Sequence, residues 1–245
     1  MKALILAAGY ATRMYPLTLS TPKSFLDVAG RTIIDRLLDK LEKTPGIAEC
    51  LVVSNAKFAD LFEAWARERK TPWPVTVLND GSTCNENRLG AVADILFAIK
   101  EKNVDDELLV LAADNLFDFE LADFAGFFRR VGRDCVTAHR LEDPELLRRT
   151  GVIEADENGK VLSFEEKPAA PKSNLAVPPF YLYRRDTLPL FETYLAEGQN
   201  PDAPGNFIPW LLRRRPVMAF LFQGRRYDIG SRASYETVLR TFDKE

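Results

Sequence analysis

Hydrophobic and polar positions along the chain alternate between two textures. Residues 2–7, 49–54, 75–78 and 107–112 are short, nearly unbroken apolar runs, the pattern of parallel strands covered on both faces. Between them, apolar positions fall at helical spacing. Ile33, Ile34, Leu37, Leu38 and Leu41 share one face of a helix predicted over 33–41, and 58–69 and 91–100 read the same way. Strand and helix recur about every thirty residues, which predicts an α/β fold with a Rossmann-like, doubly wound mixed sheet and helices on both faces.

The pattern changes after residue 134. Residues 135–140, 151–154, 161–166 and 180–183 read as strands of a small antiparallel elaboration, and Asn158-Gly159 is a hairpin signal between two of them. Helices are expected over 187–196, 207–214 and 231–241, with a strand over 217–222. No internal repeat or low-complexity linker interrupts the chain, so residues 1–245 read as a single domain.

Composition narrows the classes. A net charge of -3 gives no general attraction for nucleic acid or an anionic membrane, so neither is expected as a partner. Cys50, Cys84 and Cys135 are too scattered for a disulfide framework or zinc knuckle and read as core residues in a reducing compartment. The apolar start is too short for a leader peptide and runs straight into Gly9 and Arg13; no segment is long enough to cross a bilayer. The expected location is cytoplasmic. Homo-oligomer formation is compatible with the chain.

The sharpest chemical signal is the segment from Leu6 through Ala7, Ala8 and Gly9 to Arg13, continuing to Thr21-Pro22-Lys23. Ligands of open α/β sheets bind beyond the carboxyl ends of the strands. Small residues there leave backbone N–H groups free to cradle phosphate. Arg13 offers a planar fork for two phosphate oxygens and Lys23 a mobile point charge. Asp114 follows one apolar run and Asp228 another. Two aspartates from distant strand ends can hold one Mg²⁺, although an aspartate at a strand end serves equally well as a helix cap.

These motifs resemble those of the sugar nucleotidyltransferases, the NDP-sugar pyrophosphorylases that include glucose-1-phosphate thymidylyltransferase. The resemblance spans Leu6 to Gly230. It implies Mg²⁺-dependent transfer of a nucleotidyl group from a nucleoside triphosphate to a sugar 1-phosphate, with residues 1–135 mainly binding nucleotide and 136–230 mainly binding acceptor. By the same likeness Leu6, Ala7, Ala8 and Gly9 hold the nucleoside, Arg13 and Lys23 bind phosphates, and Asp114 and Asp228 hold the metal. Gly151, Glu166 and Lys167 fall at the acceptor-binding elements. Asn85 and Gly90 fall where the base is read, with Asn79 and Asn87 competing for the amide's role, so dTTP, UTP and CTP all remain candidates. The sequence departs from the pattern at Ala11, where glycine is usual, and at Pro178-Pro179, where a glycine usually approaches the sugar.

Rival readings are a cytidylyltransferase of phosphocholine or another non-sugar phosphate, a non-catalytic nucleotide-binding regulatory module, and a dehydrogenase. The last lacks a Gly-x-Gly-x-x-Gly fingerprint. Asp118 reads as a turn or capping residue and His139 as structural. The pairs and triplets Arg129-Arg130, Arg213–Arg215 and Arg225-Arg226 read as solvated faces.

Overall fold

The computed structural model describes residues 1–242. Its strands, in chain order, are β1 (Lys2–Leu6), β2 (Asp27–Val28), β3 (Arg31–Thr32), β4 (Glu49–Ser54), β5 (Val75–Asn79), β6 (Leu108–Ala112), β7 (Asn115–Phe117), β8 (Asp134–Arg140), β9 (Gly151–Ala155), β10 (Val161–Glu166), β11 (Leu175–Val177), β12 (Phe180–Tyr183), β13 (Val217–Leu221) and β14 (Arg226–Asp228). The α-helices are α1 (Ile33–Glu42), α2 (Ala59–Arg67), α3 (Ala91–Glu101), α4 (Leu121–Val131), α5 (Pro144–Leu147), α6 (Leu190–Ala196), α7 (Phe207–Leu212) and α8 (Arg232–Thr241).

Ten strands form one mixed sheet in the order β10-β9-β11-β8-β12-β6-β1-β4-β5, with β13 on the other edge of β8. The β6-β1-β4-β5 portion is parallel, as the unbroken apolar runs predict. Strand periodicity divides the core. Ala3 and Ile5 face one layer, with Leu37 and Leu41 of α1, Phe62 of α2 and Phe124 of α4. Leu4 faces the other, with Val92 and Ile95 of α3 and Phe207 of α7. Truncating a fully buried residue such as Leu37 to Ala should cost ~2–5 kcal/mol.

Local chemistry sets the helix ends. Thr32 Oγ1 accepts the Asp35 N–H at 3.2 Å at the start of α1. Gly132 ends α4 with φ of 60°, a left-handed conformation that glycine adopts without steric cost. Helix α4 lies outside the elements expected from the sequence pattern.

From the β6/β12 pair onward the sheet is antiparallel, except that β13 runs parallel to β8. Pro178-Pro179 separates β11 from β12, so that β11 pairs with β9 while β12 pairs with β6. The β9–β10 hairpin forms at Asn158-Gly159 as expected, with Gly159 at φ of 80°. Lys160 then bridges to Met218 of β13, bringing β10 against a strand already paired with β8. Strands β7 and β14 form a separate two-stranded ribbon at the rim of the main sheet.

Candidate active site at the strand ends

The register of the parallel strands sets the site's position. Leu6 lies opposite Ala112 across the β1/β6 pair, and the Ala113 N–H donates to the Leu6 carbonyl at 3.0 Å. The loop leaving β1 and the segment carrying Asp114 therefore leave the same edge of the sheet. Lys23, in a short 3₁₀ turn over Lys23–Phe25, closes the gap with Nζ 2.8 Å from Asp114 Oδ2.

Asp228 arrives by a route the sequence pattern does not reveal. It lies on the short ribbon strand β14, opposite Asn115 of β7, and is not at the end of a main-sheet strand. The Ile229 N–H donates to the Asp114 carbonyl at 3.2 Å, so the two aspartates share one rim. Asp118 accepts the Arg225 N–H through Oδ1 at 2.7 Å and fixes the start of the same ribbon; it caps no helix.

A continuous chain of polar contacts runs through this rim. From Lys23 it passes to Asp114, then from Asn115 Nδ2 to Asp114 Oδ1 at 2.6 Å, and from Arg226 Nε to Asn115 Oδ1 at 2.6 Å. Burial pushes the Asp114 carboxyl up, but the Lys23 charge and hydrogen bond, helped by Arg226, bring it below its ordinary range. It stays ionised at neutral pH. Its side chain remains 38% exposed, so one edge is open to a ligand.

The loop leaving β1 is open at Gly9. A Cβ on Gly9 would meet no atom within 4 Å, so the glycine keeps clear a space that no protein atom fills. Ala8 is held by Asn55 Nδ2, which donates to its carbonyl at 2.9 Å. Arg13 is exposed, and its guanidinium has no partner among the described residues; the structure does not bring it into contact with Asp114 or Asp228. Ala11 stands at φ of 48°, in the left-handed region. That conformation explains why glycine is the better residue there.

The asparagines after β5 separate by use. Asn79 Oδ1 accepts the Gly81 N–H, and Asn87 Oδ1 accepts the N–H groups of Thr83 and Cys84. Both serve local turns. Asn85 spends its amide only beside the exposed Glu86 carboxylate. Gly90, at φ of 95°, lies against the backbone of Pro201, whose carbonyl oxygen would stand 2.6 Å from an added Cβ. The Val92 and Ala91 N–H groups donate to the carbonyls of Pro201 and Asp202, so the segment before α7 caps the N-terminus of α3.

Of the residues expected at the acceptor, Glu166 ends β10 opposite Gly151. Burial raises the Glu166 carboxyl above its ordinary range, opposed by Lys167 and Arg226. Lys167 has φ of 49°, and its ammonium lies 3.8 Å from Glu166 Oε1 with the side chain 59% exposed. Gly151 packs on the Phe164 ring, 2.6 Å from where its Cβ would be. Gly205 lies against both Phe164 and Glu166, where a Cβ would overlap Oε2.

Three sequence expectations change. Cys84 is exposed, whereas Cys50 and Cys135 are core residues as expected. Arg226 is half-buried and not part of a solvated face. Arg215 also turns inward, donating to Thr187 Oγ1 at 2.7 Å. His139 is buried and stacked on Phe222 with centroids 5.1 Å apart, and burial with the Arg226 charge lowers its pKa to about 4. A surface cavity of about 290 Å³ lined by Arg31, Asp35, Glu42 and Arg69 lies elsewhere and shares no residue with this rim.

A mixed sheet with an open small-residue loop at the exit of its first strand, beside a lysine-paired aspartate rim, defines an α/β protein with a candidate ligand site at the strand ends. The chain belongs to the nucleotidyl transferase family, which it matches over residues 2–245. It is 28% identical over 252 residues to the UTP–glucose-1-phosphate uridylyltransferase of Synechocystis sp., covering 98% of this chain and 63% of that protein. It is 30% identical over 191 residues to the glucose-1-phosphate thymidylyltransferase of Mycolicibacterium smegmatis, covering 75% of this chain and 61% of that one. The chain thus spans somewhat under two thirds of the length of these curated relatives. A crystal structure of UDP-glucose pyrophosphorylase complexed with UDP-glucose shares the fold, with a TM-score of 0.81 and 22% identity over 98% of this chain and 97% of that chain. Among the described residues, no helix is long and apolar enough to cross a membrane.

Proposed function

We propose that this chain is a cytoplasmic sugar-phosphate nucleotidyltransferase, joining dTTP, UTP or CTP to a sugar 1-phosphate with release of pyrophosphate. The observation that carries the reading is the rim itself: Lys23, Asp114 and Asp228 are held together at the exit of β1 by strand register and ribbon pairing. In this reading the chain works as one domain, with residues 1–135 mainly for nucleotide and 136–230 mainly for acceptor.

Two carboxylates on adjoining positions suit Mg²⁺, which takes few protein oxygens and keeps water and phosphate oxygens as its other ligands. Asp114 and Asp228 would hold it, and when bound it supplies charge neutralisation at the phosphates. An oxygen of the acceptor phosphate attacks the α-phosphorus in line. The bond from that phosphorus to the bridging oxygen breaks, and pyrophosphate leaves with the electron pair. A phosphate monoester is already anionic at neutral pH, so no general base is needed. The chain's part is positioning and charge stabilisation. Backbone from Leu6 to Gly9 and Gly90, with Asn85, holds the nucleoside; Arg13 and Lys23 bind its phosphates. Gly151, Glu166 and Lys167 bind the acceptor.

The experiment is a thermal-shift panel of dTTP, UTP, CTP, ATP and GTP with Mg²⁺, followed by pyrophosphate release on sugar 1-phosphates and phosphocholine. A ligand that binds the native state raises its melting point, so one triphosphate should stand out. Release with phosphocholine alone would favour the cytidylyltransferase reading. Binding without release would favour the regulatory module.

A further inference from the structure

Arg226 is half-buried, whereas its neighbour Arg225 is exposed. The Arg226 side chain is 12% exposed, and Nε donates to Asn115 Oδ1, whose amide in turn donates to Asp114. That anchor uses one of the guanidinium's five N–H groups. Nη2 stands 4.0 Å from Asp228 Oδ1, beyond hydrogen-bond reach. Arg226 is thus tied through Asn115 to Asp114 and stands beside Asp228, and its charge also reaches Glu166 at the end of β10.

A guanidinium fixed at Nε, with its terminal nitrogens ion-paired to Asp228 at 4.0 Å but without a hydrogen bond among the described residues, is shaped for a two-oxygen anion.

Resting on the function proposed above, we propose that Arg226 binds the phosphate of the acceptor and orients it for attack, with Asn115 fixing the direction of the guanidinium. Lys167, on an exposed side chain, is then the auxiliary cation and Arg226 the anchored one. Specificity for a phosphate monoester is thereby built into the ribbon that also carries Asp228.

The test uses the full chain, the triphosphate giving the largest thermal shift, and whichever of glucose 1-phosphate, mannose 1-phosphate and phosphocholine gives most pyrophosphate. Arg226→Ala should raise the acceptor KM by about tenfold or more while the triphosphate KM and its thermal shift stay within about twofold. Arg226→Lys keeps the charge without the fork and should fall between the two. Asn115→Ala frees the guanidinium's direction and should lower kcat with a smaller change in acceptor KM. A structural counter-ion gives a different result: both KM values move by the same factor, or the acceptor KM stays within about threefold, and either overturns the assignment. Should Arg226→Ala fail to fold, Arg226→Lys decides. A selective rise in acceptor KM supports the proposal and an unchanged one refutes it. A wild-type chain that releases no pyrophosphate from any pair overturns the proposed function itself, and this assignment with it.

Discussion

The two halves of the site are positioned by different physics. On the β1/β6 side, functional groups are placed by strand register and held by hydrogen bonds: Lys23 to Asp114, Asn115 to Asp114, Ile229 to the Asp114 carbonyl. At the end of β10, proposed to face the acceptor, Glu166 is placed by steric fit, its carboxylate and the neighbouring Phe164 ring lying where Cβ atoms of Gly205 and Gly151 would otherwise be. A hydrogen-bonded rim tolerates small volume changes and fails when a charge is lost. A packed wall behaves the other way round.

Substitutions can break that contrast, and the largest effect is expected on the charged rim. Asp114→Ala leaves Lys23 unpaired and removes one carboxylate, and should lower kcat by about a thousandfold with the fold retained by circular dichroism. Loss under about tenfold would mean the rim is structural.

Gly205→Ala should act next most strongly and on the other half. The added methyl displaces Glu166 and meets Phe164 at 2.8 Å. We expect the acceptor KM to rise about tenfold, the triphosphate KM to hold, and stability to fall by about 1–3 kcal/mol. Equal rises in both constants would erase the distinction between the halves.

Asp94 tests the nucleotide side for stored cost. It is buried in α3 with Oδ1 lacking a partner, and burial together with the nearby Asp80 raises its pKa to about 8. The unfolded chain gives up this proton near pH 4, while the folded one holds it until about pH 8. This contribution to stability is therefore complete below pH ~4 and is lost as pH rises toward 8, at a limiting slope of about 1.4 kcal/mol per unit. Asp94→Asn should flatten that slope in denaturant titrations and leave the variant more stable than wild type at pH 8. Parallel curves for the two proteins would refute the raised carboxyl.

The smallest effect is expected at Ala11. Its φ of 48° is left-handed, so Ala11→Gly relieves strain while freeing the unfolded chain. A net gain of about 0.5–1 kcal/mol should appear as a raised melting point. A drop would show that the loop's shape needs the methyl.

Legibility in the sequence follows the same division. The parallel strands and the helices α1 to α3 are readable because each buries a repeating apolar face. Helix α4 carries such a signal in Leu121, Phe124, Ala125 and Phe128, although it lies outside the elements drawn from the sequence above. The ribbon is a different case. Arg226-Tyr227-Asp228 has no periodicity, and its partner strand begins at Asn115, so only tertiary pairing defines it. Asp114 and Asp228 are visible as a motif, but their adjacency is not. The burial of Arg226 is hidden for the same reason, since two adjacent arginines in sequence read as solvent-facing.

The ribbon also sets the order in which the protein can become competent during synthesis. Arg226 bonds a residue 111 positions earlier in the chain, after every strand of the ten-stranded sheet has been made. A chain that has all ten strands of the sheet can therefore still lack one of its two rim aspartates. A chain cut just before residue 226 should keep all ten strands of the sheet while lacking Asp228, and its circular dichroism and pyrophosphate release, set against those of the longer chain, separate folding from competence.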